Sequence, residues 1–226
     1  MSLADPIREG PRNISTIGYA SSTDGIHYKG RRQLITPTEA WEQHGCEDPR
    51  VTKYGDTYYI FYTALSEYPF RPEGIRVAVA KTKDFKTIIE KKLVTPFTSK
   101  AMALFPEPVN GKMTAILTAD SEHIPKKVAI AQFDSEKDLT DPAWWERWYE
   151  NISEHRIYPE RTPHDQIEVG APPIKTEYGW LFIYSMIENH FERGAHYQYV
   201  YGIEALLLDL NDPRKIIGKT KGPFIT

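Results

Sequence analysis

The sequence predicts an all-β fold of repeated four-stranded units, the pattern of propeller blades. Two recurrences carry this reading. A strand running into an Asp-rich turn starts at Ile17, Ile75, Val128 and Ile203. A glycine turn feeding an apolar strand appears at Tyr54-Gly55, Asn110-Gly111 and Tyr178-Gly179. A turn glycine between two β-rich runs marks a hairpin.

Placing these in order gives three nearly complete blades, over residues 46–96, 102–152 and 167–226. Residues 15–37 supply the last two strands of an earlier blade, so blade ends fall near 37, 96, 152 and 226. One helix is predicted near 141–148, where Asp141 suits the N-cap and Pro142 the first helical position. About three and a half blades leave an unpaired face. The chain therefore reads as one partial propeller domain, a piece of a longer one, with self-association expected.

Composition narrows the function. The net charge of -3 gives no drive toward nucleic acid or anionic membrane. The 14 tyrosines and 5 tryptophans exceed what a core usually requires; sugar sites use such rings as platforms, and β-rich cores also collect them. The single cysteine, Cys46, allows no intrachain disulfide. No stretch is apolar enough to span a bilayer, and residues 1–8 lack an apolar signal core. A cytoplasmic location is expected, with part of the native N-terminal region read as missing. The seven histidines show no metal spacing, and no glycine loop would cradle a nucleotide. No metal or organic cofactor is expected.

The chemistry concentrates at Cys46-Glu47-Asp48-Pro49-Arg50. Proline restricts the residue before it, so Asp48 is expected to be extended. The same five residues also read as a turn that opens a strand. Arg50, two residues on, is expected on the same face as Asp48. There a close cation would favour the ionised carboxylate and spoil a proton donor. The inner strands are expected to begin at residues 46–50, 104–108 and 167–175, each with a proline and a carboxylate. This brings Glu47, Asp48, Glu107 and Glu168 toward one axis. Acids that merely bond loop amides are the alternative, above all for Glu107.

Three segments resemble the signatures of glycoside hydrolase family 130: Cys46-Glu47-Asp48-Pro49-Arg50, Leu104-Phe105-Pro106-Glu107, and residues 170–184 from Gly170-Ala171-Pro172-Pro173 onward. Residues 22–28 and 207–213 match in order as well. The resemblance implies a five-bladed β-propeller acting on β-mannosides with inversion. It implies Asp48 as the general acid, and Glu47, Arg50 and Glu107 as substrate contacts. Lys100 and Lys175 fall on basic phosphate positions of the family's phosphorylases. Where many phosphorylases carry His-Arg, this chain has Ala119-Asp120. Where they carry Tyr-His-Gly, it has Tyr184-Ser185-Met186. Glu168 replaces a small residue and would activate water, unless it caps a loop. Together these imply an enzyme acting on a small oligosaccharide or glycan, with hydrolysis slightly favoured. The alternatives are a phosphorylase that uses inorganic phosphate to make mannose 1-phosphate, and a truncated, inactive sugar-binding propeller.

Overall fold

The computed structural model describes residues 13–121, 126–159, 162, 165–188 and 200–225. Residues 1–8 and four of the seven histidines, His123, His164, His190 and His196, lie outside them.

The elements run from a two-stranded ribbon, β1 (Ile17–Ser21) and β2 (Lys29–Ile35), into three larger antiparallel sheets. The first holds β3 (Gly45–Tyr54), β4 (Thr57–Leu65), β5 (Ile75–Thr82) and β6 (Glu90–Leu93) in sequential order. The second holds β7 (Ser99–Leu104), β8 (Met113–Ala119), β9 (Lys127–Phe133) and β10 (Arg156–Ile157). The third orders β11 (Gln166–Val169), β13 (Trp180–Glu188), β14 (Val200–Leu208) and β15 (Ile216–Lys219), with the short β12 (Ile174–Lys175) also paired to β13. Among the described residues the sheets do not close into a ring.

The hairpin reading follows from backbone geometry. Gly55, at φ 59°, opens the two-residue turn joining β3 to β4. Asn110 and Gly111 both take positive φ, as a type I′ turn requires.

The second blade departs from expectation at both ends. Its inner strand starts at Ser99, three residues before Met102, and ends at Leu104. Its outer strand is Arg156–Ile157, beyond the expected end at 152. Two helices, α1 (Pro142–Glu150) and α2 (Ile152–His155), precede that strand and pushed it out of the simple repeat. Asp141 caps α1, accepting from the Ala143 amide at 3.0 Å, with Pro142 in the first turn as expected.

Burial explains why these strands stack as blades. Along β4, Tyr59 and Phe61 enter the core facing the second blade, while Ile60, Tyr62 and Ala64 enter the core facing the ribbon. Successive side chains leave opposite faces of a strand, so an apolar run without polar interruption must be covered on both sides. A third core joins the second and third blades through Phe105, Ile116, Trp180 and Phe182. Each core thus lies between neighbouring sheets. Truncating fully buried Phe61 to Ala would cost about 3–5 kcal/mol.

Candidate functional site

The inner strands β3, β7 and β11 meet through named contacts. Thr52 Oγ1 on β3 donates to the Leu104 carbonyl on β7 at 3.1 Å. The Val169 amide on β11 donates to Thr118 Oγ1 on β8 at 3.2 Å. Arg50 on β3 then reaches β11: Nη2 donates to Glu168 Oε1 at 3.1 Å and to the Val169 carbonyl at 2.8 Å, and Nε donates to the Gly170 carbonyl at 3.3 Å.

The backbone of the Glu47–Arg50 segment is a β-bulge. Glu47 faces Thr63 and Arg50 faces Phe61, so three steps on β3 oppose two on β4. Asp48 takes φ 52°, left-handed rather than extended. The extra residue of the bulge overrides the preference of a residue preceding proline, and Asp adopts this region more readily than most side chains. The bulge also breaks the alternation that was expected to set Arg50 beside the Asp48 carboxylate. Arg50 Nη1 instead donates to the Asp48 carbonyl at 2.6 Å. Among the described residues, the exposed Asp48 carboxylate has no hydrogen-bond or ion-pair partner. Glu47 is fixed by Ser15, whose Oγ donates to Oε1 at 2.8 Å.

The same bulge recurs in the second blade. Lys100 faces Thr118 and Ala103 faces Ile116, and Ala101 takes φ 51°. By register, Lys100 corresponds to Glu47 and Ala101 to Asp48. In the third blade Glu168 faces Ser185, which corresponds to Thr63 and Thr118. Glu47, Lys100 and Glu168 therefore occupy one tier of the three inner strands.

Glu107 and Lys175 do not belong to that tier. Glu107 lies beyond the end of β7, because residues 104–108 close the inner strand instead of opening it. Lys175 faces Trp180 while Glu168 faces Ser185, five residues farther along β13, or roughly 17 Å. Glu107 and Lys175 form an ion pair with each other at the hairpin end of the blades. The Asn110-Gly111 turn was the signal for this, since the strand before it has to end there.

Gln166 joins the site unanticipated. It precedes Glu168 by two residues, on the same face of β11, and both line a cavity of about 380 Å³ with Ser185 and Tyr201. Its Oε1 is buried without a hydrogen-bond partner among the described residues. The period-two spacing was the available cue. Next to this tier, Asp120 is buried between Lys127 and the Tyr149 hydroxyl, which it accepts from. Burial first, and then the Asp120 carboxylate, push the Tyr149 phenol up to about 12. The Asp120 carboxylate at this position is thus held by two partners.

Carboxylates gathered on converging inner strands, one of them held by an arginine, are the kind of groups that glycoside cleavage employs. The sequence profile of glycoside hydrolase family 130, described as beta-1,4-mannooligosaccharide phosphorylase, matches residues 8–226. The chain belongs to that family. It is 32% identical over 222 residues to a beta-1,2-mannobiose phosphorylase of Listeria innocua, covering 94% of this chain and 54% of the relative. It is 30% identical over 213 residues to a 1,2-beta-oligomannan phosphorylase of Thermoanaerobacter, covering 94% of this chain and 64% of the relative. The solved Listeria innocua phosphorylase in complex with beta-1,2-mannobiose superposes with a TM-score of 0.70, over 93% of this chain and 54% of that one. The chain thus spans between half and two thirds of these relatives. Among the described residues no helix is long and apolar enough to cross a membrane.

Proposed function

We propose that the protein cleaves β-mannosides by a single inverting displacement, with Asp48 as the general acid. One observation supports this most: Arg50 is committed to Glu168 and to three carbonyls, leaving the Asp48 carboxylate unpaired among the described residues. With the guanidinium turned to other acceptors, the exposed Asp48 carboxylate is open to approach by a glycosidic oxygen. Asp48 protonates the glycosidic oxygen as its bond to the anomeric carbon breaks, and a nucleophile attacks from the opposite face.

Water is the favoured nucleophile. Its proton passes to Glu168, whose Oε1 is oriented by Arg50 and whose Oε2 has no hydrogen-bond partner among the described residues. Phosphate needs several paired donors in a partly desolvated pocket. Lys175 is engaged with Glu107 at the far end of the blade, and Asp120 with Lys127 stands where a cation was implied. Lys100 remains in the tier. The relatives' activity favours the second reading, phosphorolysis with mannose 1-phosphate as product.

The discriminating experiment incubates the full-length protein with β-1,2-mannobiose, with and without inorganic phosphate, and identifies the products. Free mannose formed at the same rate in both supports hydrolysis. Mannose 1-phosphate, with little turnover when phosphate is omitted, replaces that reading with phosphorolysis. No cleavage under either condition rejects both, leaving a sugar-binding propeller.

A further inference from the structure

A second cavity, of about 700 Å³, opens at the outer side of the second blade, between β9, α1 and the loop after β14. It lies at the hairpin end of the sheet. Lys112, on its wall, adjoins the Asn110-Gly111 turn, whereas Thr118, which contacts β11, is at the other end of β8. The cavity and the tier of Glu47, Lys100 and Glu168 therefore lie at opposite ends of the blade.

Three near-parallel rings line one side. Trp148 stacks on His155 with centroids 5.2 Å apart and planes 5° apart, and Trp144 lies 6.5 Å from Trp148 at 17°. Trp148 is buried, stacked also on Phe97 at 6.0 Å, with its indole Nε1 donating to the Ile130 carbonyl at 3.2 Å, so it is a fixed backing for the accessible Trp144. Trp144 is half-buried and packs on Phe133.

The rim is polar and evenly charged. Lys112 pairs with Asp134 at 3.0 Å, and Arg214 with Asp212 at 2.8 Å. Gln132 adds an amide. Arg147, exposed on α1, has no side-chain partner among the described residues. The two pairs, with Asp138 balancing Arg147, set donors and acceptors around an aromatic floor without building up net charge. That chemistry does not select an ion, and the polar rim does not suit an apolar molecule. It suits a neutral ligand with many hydroxyls and apolar ring faces, and the volume is of the size that encloses a small ligand.

We propose that this cavity is a second carbohydrate-binding site, separate from the Asp48 site, which takes a neutral oligosaccharide over Trp144 and Arg147. A site at the far end of the blade would hold one part of a long glycan while another part is cleaved. The choice of β-mannosides as probes rests on the proposed function; the site itself does not.

The test uses full-length Asp48→Asn protein, in which turnover is slowed, titrated with β-1,2-mannobiose and β-1,2-mannotriose by calorimetry and tryptophan fluorescence. Two binding events are expected. Arg147→Ala and Trp144→Ala should each weaken the second about tenfold or more and leave the first unchanged. In the otherwise native protein, both variants should leave turnover of mannobiose unchanged. Arg147→Ala removes no packing and guards against a folding defect in the other. A single event untouched by both variants, or a second event that survives both, overturns the proposal. If no mannoside binds at all, the proposed function fails, and cellobiose, maltose and lactose are titrated next. Binding of one of these that Trp144→Ala abolishes sustains the second site, and binding of none overturns it.

Discussion

Arg50 Nη2 lies 3.1 Å from Glu168 Oε1, joining inner strands that are 118 residues apart in sequence. Both side chains are largely shielded, at 13% and 27% exposure. One guanidinium thus fixes a carboxylate on another blade and holds the bulge that presents Asp48. Lysine would keep the charge but lose the planar fork that serves four acceptors. Arg50→Lys is expected to cost about 1.5–3 kcal/mol of stability, the worth of hydrogen bonds to charged groups. Turnover should fall about 100-fold through misplacement of the reacting groups. Denaturant melts and steady-state kinetics check both, and an unchanged variant would remove Arg50 from the site's architecture.

The left-handed backbone at Asp48 and Ala101 separates function from stability. Non-glycine residues hold this conformation at a cost that glycine avoids. Ala101→Gly is expected to raise stability by up to about 1 kcal/mol. Asp48→Gly should do the same while abolishing activity. Destabilisation by both glycines in thermal melts would show that the bulge carries no strain.

Glu42 sets the acid limit of the first blade. It is fully buried, accepting from the Tyr62 hydroxyl at 2.6 Å and the Thr38 amide at 2.9 Å, and pairing with Lys91. Burial acts to raise its carboxyl, but Lys91, Tyr62 and Thr38 outweigh burial and hold it below the ordinary value of 4.5. A depressed carboxyl contributes stability that is present above the unfolded value and lost as pH falls through the folded one. Stability should therefore decline below about pH 4.5. Glu42→Gln should flatten that decline and cost about 3–5 kcal/mol near neutrality, since Lys91 loses its counter-charge. Equal acid limbs in the two proteins would contradict the assignment.

The last sheet exposes Tyr201, Phe224 and Ile225, each more than half accessible. Exposed apolar clusters drive association. The 226-residue chain on its own is expected to self-associate at micromolar concentration in sedimentation velocity. A monodisperse monomer would mean that these residues are too dispersed to act as an interface.

The blade repeat was legible because each middle strand must be apolar on both faces, as Ile60 and Phe61 show, and each hairpin needs its glycine. The Glu47-Asp48-Pro49-Arg50 cluster was legible as chemistry. Its geometry was not, because a bulge is a property of register between two strands and leaves no mark in one. Lys100 and Glu168 share a tier with Glu47 through equivalent partners, Thr118, Ser185 and Thr63, as the register shows. Glu107 and Lys175 were misplaced because a proline-bearing segment can close a strand as readily as open one. Gln166 went unremarked although it stands two residues from Glu168.

The central claim is that Asp48 donates the proton. Its most direct test is turnover of β-1,2-mannobiose by full-length Asp48→Asn, with a melt showing the fold intact. There kcat is expected to drop about 10²–10⁴-fold with the melting transition preserved. Undiminished turnover would contradict it.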